Sequence, residues 1–426
     1  MQYNPLEATE ETADACPGEP VEGGVCAARG FVAAGIHAGF RRNPERGDLA
    51  VVRAEGDAPV AAAGVFTRNH FCAAPVQVDR AHLVASGGRA RAVILNSAVA
   101  NAATGEPGLT SARATARQLA ELLGCAPEEV LVASTGVIGV QLPMGTMAAG
   151  IPQVVADLAA DEDHDLAAAK AIMTTDTKPK RAALRYVDPS GATYTIGGMC
   201  KGSGMISPNM ATMLAVVTTD APVAPAALDA ALHAAADATF NRVTVDGDTS
   251  TNDSCFLLAS GVAGGEPIER AEGARYEAFV AALTWVCDSL ARQIAADGEG
   301  ATRLVRVVVR GAADDADAER AARTVATSPL VKTAIAGHDA NWGRIAAALG
   351  RSGAAFEQGS VDIDILGLPV LRAGLPVVFD EDEALRRFEG PRVDIVCDLG
   401  AGSGRAALWT CDLTHGYISI NADYRS

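Results

Sequence analysis

The chain has 426 residues, room for two or more domain-sized units or one large interlocked body. Hydrophobic residues make up 49% and aromatics only 4%, so a core of Ala, Val, Leu and Ile is expected and a disordered or fibrous chain is excluded. A formal charge of −17 repels phosphate backbones and argues against nucleic-acid binding, and no apolar run is long enough to predict a membrane span.

Residues 1–22 are acidic and turn-rich, without a basic or apolar leader pattern, and read as a flexible tail rather than a signal peptide. The nine cysteines lie singly with no C-x-x-C pair, which predicts no metal site, no disulfide framework and a cytoplasmic setting. From residue 30 the pattern is that of a folded body. Runs at 48–52 and 61–66 predict successive strands, the second leading into Thr67-Arg68-Asn69; His70 beside it reads as a surface or packing histidine. A buried strand at 92–95 leads into Asn96-Ser97-Ala98-Val99-Ala100-Asn101-Ala102-Ala103-Thr104-Gly105. Ala98 argues against a positive φ in this loop. Thr110 is expected to cap an Ala-rich helix over 110–123, stopped by Gly124. A strand at 129–133 delivers Ser134-Thr135-Gly136, a Thr-Gly step that is weak evidence by itself because strands often end in such turns. Helices are expected at 147–158 and 165–172, followed by Met173-Thr174-Thr175-Asp176-Thr177, hydroxyls gathered round an aspartate.

The stretch 201–217, Lys-Gly-Ser-Gly-Met-Ile-Ser-Pro-Asn-Met-Ala-Thr-Met-Leu-Ala-Val-Val, organises the rest. Its glycines permit tight turning, Pro208 and Asn209 favour a bend, and the apolar run from Thr212 predicts a buried strand. Thr212 is thereby held where a loop meets a strand. Position alone is weak support for a nucleophile, since Thr is a favoured strand residue and no histidine lies in the stretch. A cut between Ala211 and Thr212 supplies the missing base. The freed α-amine, with a pKa of about 7.7–8.0, can take the hydroxyl proton and return it.

Beyond it, an Ala-rich helix at 222–238 precedes the acidic, hydroxyl-rich string 240–253, which lacks the spacing of a cation loop. Tyr276, Phe279, Leu283, Cys287, Leu290 and Ile294 recur at helical spacing, and that helix runs out into Asp297-Gly298-Glu299-Gly300-Ala301-Thr302. A strand at 304–309 follows, then His338-Asp339-Ala340-Asn341-Trp342-Gly343-Arg344, an alternating strand at 361–365, and a glycine turn at 400–404 that fits no phosphate-loop frame. The chain closes on Cys411-Asp412-Leu413-Thr414-His415-Gly416-Tyr417-Ile418-Ser419-Ile420-Asn421-Ala422-Asp423-Tyr424-Arg425-Ser426.

The 201–217 stretch closely resembles the self-cleavage motif of the ornithine acetyltransferases (bifunctional glutamate N-acetyltransferases) of arginine biosynthesis. The segments at 96–105, 134–139, 240–253, 297–302, 338–344 and 411–426 are similar to that family's motifs in the same order. Ala98, Val99, Ala103 and Ala340 depart from its pattern. The resemblance implies an α/β (mixed α+β) fold, a four-layer αββα sandwich. It implies self-cleavage into an α chain ending at Ala211 (23–211 after the tail) and a β chain of 212–426, interlocked and associated as an α2β2 heterotetramer. It assigns Thr212 as nucleophile and Thr135 and Gly136 as oxyanion hole. Substrate contacts would come from Thr175 (with Thr174 or Thr177 as alternatives), Lys201, Thr212, Glu299, Asn421 and Ser426. Lys201 would pair with a substrate carboxylate or order its loop, and Glu299 would hold the substrate ammonium. The implied reaction passes an acetyl group from N-acetylornithine to glutamate, with acetyl-CoA as an additional donor and no cofactor. An amidohydrolase of the same fold, with water as acceptor, is the alternative.

Overall fold

The computed structural model of the chain describes residues 16–207 and 213–423. Strands β1 (Glu19–Val21), β2 (Phe31–Ile36), β3 (Leu49–Ala54) and β4 (Val60–Phe66) lead to helix α1 (Ala74–Ala85). Then come β5 (Arg89–Ala90), β6 (Ala92–Asn96), α2 (Gly105–Leu123), β7 (Val130–Ser134), α3 (Met144–Ala156) and α4 (Glu162–Ala171). The hairpin of β8 (Lys180–Val187) and β9 (Thr193–Lys201) precedes β10 (Leu214–Thr219), α5 (Pro225–Ala238), β11 (Ser254–Ala259) and α6 (Ala274–Ala296). A last stretch holds β12 (Leu304–Ala312), α7 (Asp315–Ala326), α8 (Pro329–Ala336), α9 (Trp342–Gly350), β13 (Asp362–Ile365), β14 (Leu368–Arg372) and β15 (Leu375–Pro376). It ends with α10 (Glu381–Phe388), β16 (Arg392–Asp398), β17 (Gly404–Cys411) and α11 (His415–Asp423).

Two sheets lie face to face. One is seven-stranded, β1-β8-β9-β10-β11-β4-β5, and the other four-stranded, β2-β3-β6-β7. Strand periodicity explains the stacking, because alternate residues of a buried strand must each find an apolar layer. On β10, Leu214 and Val216 pack with Phe256 of β11 toward Val52, Val93 and Leu131 of the smaller sheet. Ala215 and Val217 point the other way, among Leu228 and Leu232 of α5 and Leu283 and Leu290 of α6. The smaller sheet behaves likewise, sending Val51, Ile94 and Val132 outward against α2 and α3. The order is therefore helix, sheet, sheet, helix, the expected αββα sandwich. A further six-stranded sheet, β15-β14-β13-β16-β12-β17, has its own core with α7 and α9. Its β17 joins it to the sandwich, since Trp409 and Cys411 pack in the α5–α6 layer while Ala406 and Leu408 pack on the other side.

The structure corrects the expectations at three places. The segment expected as a loose tail ends in β1, which pairs antiparallel with β8 through Glu19–Arg185 and Val21–Ala183. Helix α2 begins at Gly105, not after Thr110, since Pro107 falls in the first turn, where the missing N–H costs nothing. Ala98 does adopt a positive φ, 77°, against the expectation from its side chain. Its carbonyl accepts from Val137 N at 3.0 Å, and Ala100 N donates to Val137 O at 3.0 Å, so the surrounding ladder holds the strained residue in place. His338 is a packing residue, its ring stacked 5.7 Å from that of Phe388.

Candidate active site

Strands β9 and β10 are antiparallel neighbours in which Lys201 stands opposite Leu214. The chain between them leaves and re-enters the sheet at one point. Among the described residues of this loop, the hydrogen bonds are dense. Gly202 N donates to Asp176 Oδ1 at 2.7 Å and Ser203 Oγ to the Asp297 carbonyl at 2.6 Å, while Glu299 N donates to Ser203 O at 2.9 Å. Met205, in the left-handed region at φ 55°, and Ile206 both donate their N–H to the Asp246 carboxylate, at 2.6 and 2.9 Å. Burial pushes the Asp246 carboxyl up, against those amide bonds and that of Asp248 N, which stabilise its charged form.

Beside this loop lies a cavity of about 160 Å³. Thr135, Gly136, Thr175, Lys201, Glu299 and Asn421, expected from the sequence as site residues, all line it. They arrive from the end of β7, the turn after α4, the end of β9, the turn after α6 and α11. Thr174 lines it too, whereas Thr177 is not among the lining residues and gives its N–H and hydroxyl to Asp297. Ala211, Thr212 and Ser426 lie outside the described residues, while Ile206 and Met213 on either side of 208–212 line the cavity.

Each side chain is held by neighbours. Gly136 has φ 130°, and a Cβ there would come within 2.2 Å of the Ala98 carbonyl carbon, so only glycine lets the two loops touch. Lys201 is buried, with Nζ 3.5 Å from Thr135 Oγ1. Burial lowers its pKa, partly offset by the charges of Asp176, Asp253 and Glu299. Asp176 is buried as well. Burial alone would raise its pKa, but Lys201 and Lys180 outweigh that and hold the carboxyl below the usual carboxylate range. Lys180 bridges Asp176 and Asp297, both at 2.6 Å, tying the end of α6 to the turn after α4. Glu299 follows that helix end. A Cβ on Gly204 would fall 2.4 Å from its Oε1, so the glycine lets the carboxylate lie flat against the loop. Asn421 Nδ2 donates to Glu299 Oε2 at 2.6 Å, and α11 is docked by Thr414 Oγ1 on the Gly300 carbonyl at 2.6 Å.

The walls of the site therefore combine a hydroxyl and a positive-φ glycine at a strand end, a buried amine and a carboxylate. That set suits a small ligand bearing both an anionic and a cationic group. Among the described residues no group of three or more His, Cys, Asp or Glu could hold a metal ion, and no helix is long and apolar enough to cross a membrane. The resemblance of the 240–253 string to a family motif pointed to this region without singling out Asp246 or Asn252, and sequence reasoning missed Lys180.

A model of the ArgJ family matches residues 32–426. The chain belongs to the ArgJ family. It is 52% identical over 409 residues to "Arginine biosynthesis bifunctional protein ArgJ" of Symbiobacterium thermophilum, covering 96% of this chain and 100% of that one. The protein of the same name from Geobacillus kaustophilus is 46% identical, covering 99% of this chain and 100% of the relative. A solved chain described as ornithine acetyltransferase complexed with ornithine, from Mycobacterium tuberculosis, is 42% identical, with a TM-score of 0.42. It covers 46% of this chain and 98% of that one. As a member of the ArgJ family the chain is an enzyme of arginine biosynthesis.

Proposed function

We propose that the cavity carries out ping-pong acetyl transfer from N-acetylornithine to glutamate, after the chain has cut itself between Ala211 and Thr212. The observation that carries this reading is the convergence of Thr135, Gly136, Thr175, Lys201, Glu299 and Asn421 on one cavity that Met213, next in sequence to Thr212, also lines. In the reaction Thr212 Oγ attacks the acetyl carbonyl and its proton passes to the Thr212 α-amine. Thr135 Oγ and Gly136 N–H stabilise the oxyanion, a contribution of about 10²–10³ in rate per donor. The C–N bond breaks as the α-ammonium returns the proton to the leaving amine of ornithine. Glutamate then attacks the acetyl-Thr212 ester by the reverse sequence, giving N-acetylglutamate and the free hydroxyl.

Lys201 supplies a charge opposite to the α-carboxylate that donor and acceptor both carry, and Glu299 one opposite to the side-chain ammonium of N-acetylornithine, while the amine of glutamate is left free to attack. Acetyl-CoA serves as an additional donor to the same hydroxyl. The chains 23–211 and 212–426 stay associated, two pairs forming an α2β2 assembly in the cytoplasm, and Ser426 contacts substrate. The test is acetyl transfer measured with and without glutamate, alongside Thr212→Ala. Glutamate-dependent release of ornithine that is lost in the variant supports the reading. Release of free acetate at the same rate without glutamate would make the protein an amidohydrolase.

A further inference from the structure

The donors of the oxyanion site are carried by loops that meet in strained backbone. Ala98 and Asn101 have φ of 77° and 49°, and Gly136 has φ of 130°. Val99 makes isolated bridges to Thr135 and Val137, which set one loop against the other. Strained loops hold such a shape only if something fixes them from outside.

Asn252 does so. Its side chain is buried and lines the same cavity. Its amide Nδ2 donates to the Ala100 carbonyl at 2.6 Å and to the Ser134 carbonyl at 2.8 Å, so one NH2 group ties both loops. The Ser134 carbonyl belongs to the peptide plane that carries Thr135 N, and Thr135 N donates in turn to Asn96 O at 3.0 Å. Asn96 Oδ1 also accepts from Ser134 Oγ at 2.7 Å, and its Nδ2 donates to Val99 O at 2.9 Å. The Ser134–Thr135 peptide, which leads directly into the Thr135–Gly136 step, is therefore held from one side by Asn96 and from the other by Asn252. Thr251 Oγ1 donates to Asn252 Oδ1 at 2.6 Å, which fixes the amide with its NH2 toward the two carbonyls.

We infer that Asn252 is the positioning residue of the oxyanion site. It acts through Thr135 and Gly136, since its amide NH2 is committed to the Ala100 and Ser134 carbonyls. Asn252 lies on the carboxyl-terminal side of the proposed cleavage junction and both loops on the amino-terminal side. A fragment carrying the nucleophile thus sets the geometry of the donors carried by the other, and the hole is complete only while the two are docked. The inference rests on the proposed oxyanion role of Thr135 and Gly136.

The test compares Asn252→Asp, Asn252→Ala and Thr135→Ala in the full-length chain, measuring kcat, KM, melting temperature and the pH profile of acetyl transfer. In Asn252→Asp an ionised carboxylate faces two carbonyl oxygens, and only its protonated form can donate to one of them. At pH 8 its kcat is expected to fall at least tenfold with KM within about twofold, because alignment of transition-state donors is what is lost. Relative to the parent protein at the same pH, part of that activity is expected to return as pH falls toward 6. Asn252→Ala is expected to show the kcat loss without the acid recovery, and it decides the matter if the Asp variant does not fold. Unchanged kcat in Asn252→Ala, or a loss in KM alone, would overturn the inference. Full activity in Thr135→Ala would instead overturn the oxyanion reading on which it rests.

Discussion

Ala98 shows how a single residue can defy its own preference. An alanine in the left-handed region costs roughly 1–2 kcal/mol, and here the hydrogen-bonded contact with Val137 maintains it. Ala98→Gly is accordingly expected to stabilise the fold by about 1 kcal/mol, measured by urea unfolding, with the glycine's extra freedom in the unfolded chain reducing the gain. A substitution in the opposite sense is expected to be costly at Gly204. Its missing Cβ leaves the space occupied by the Glu299 carboxylate. Gly204→Ala is expected to displace Glu299 and raise KM for the amino-acid substrate about tenfold, with a smaller change in kcat. That scale follows from a charge-assisted hydrogen bond contributing about 1.5–3 kcal/mol. The candidate residues themselves were legible through segments that resemble one family's motifs, since a lone carboxylate or a Thr-Gly step says little by itself. Asp246 and Asn252 were not, because their partners are backbone groups far away in sequence, and no local spacing encodes such a contact.

Among the elements, the strands of the sandwich were legible from their apolar runs, and their buried two-sided packing explains why. Two features were hidden. The three-residue β1 has no apolar pattern, since its burial is slight and its stability comes from pairing with β8. The start of α2 was masked by Gly105, Pro107 and Gly108, which look like a loop until the helix's first turn is considered. Helix α1 makes a different contribution. It lies along β7, an edge strand of the four-stranded sheet, and Val132 N of β7 donates to Asp79 Oδ1 at 2.8 Å. Asp79 is fully buried, and among the described residues its other oxygen has no hydrogen-bond partner. Burial pushes its pKa well up, with the Val132 amide opposing. A carboxyl whose folded pKa is raised contributes stability below the unfolded value of about 3.9 and loses it as pH climbs through the folded one. Asp79→Asn should therefore gain on the parent protein as pH increases. Chemical unfolding at pH 5 and pH 8 checks this, with a widening gap of about 1 kcal/mol or more expected. A gap that shrinks with pH would count against a raised Asp79.

In the whole molecule, the seven-stranded sheet is assembled from both sides of residues 208–212. Strands β9 and β10 pair with each other, and β11 lies between β10 and β4. A cut in the connecting loop therefore leaves the fragments held by complete strand ladders and a shared core. The six-stranded sheet was visible in the sequence only as scattered strands, because nothing local states that β12 pairs with β16 and β17, which lie far along the chain. The Asp246 contacts carry a prediction at this scale, because they anchor Met205 and Ile206 ahead of the proposed junction. Asp246→Asn keeps one good acceptor for the three N–H groups of Met205, Ile206 and Asp248, so self-cleavage should slow about tenfold or more while the melting temperature changes by only a few degrees. Following fragment appearance on a denaturing gel gives the rate.

The most direct test is the intact mass of freshly purified protein under denaturing conditions, set beside its acetyl-transfer activity. The account predicts two masses, those of residues ending at Ala211 and beginning at Thr212, co-eluting before denaturation, and a single uncleaved, inactive chain for Thr212→Ala. A fully active protein whose only mass is that of the unbroken chain would contradict it.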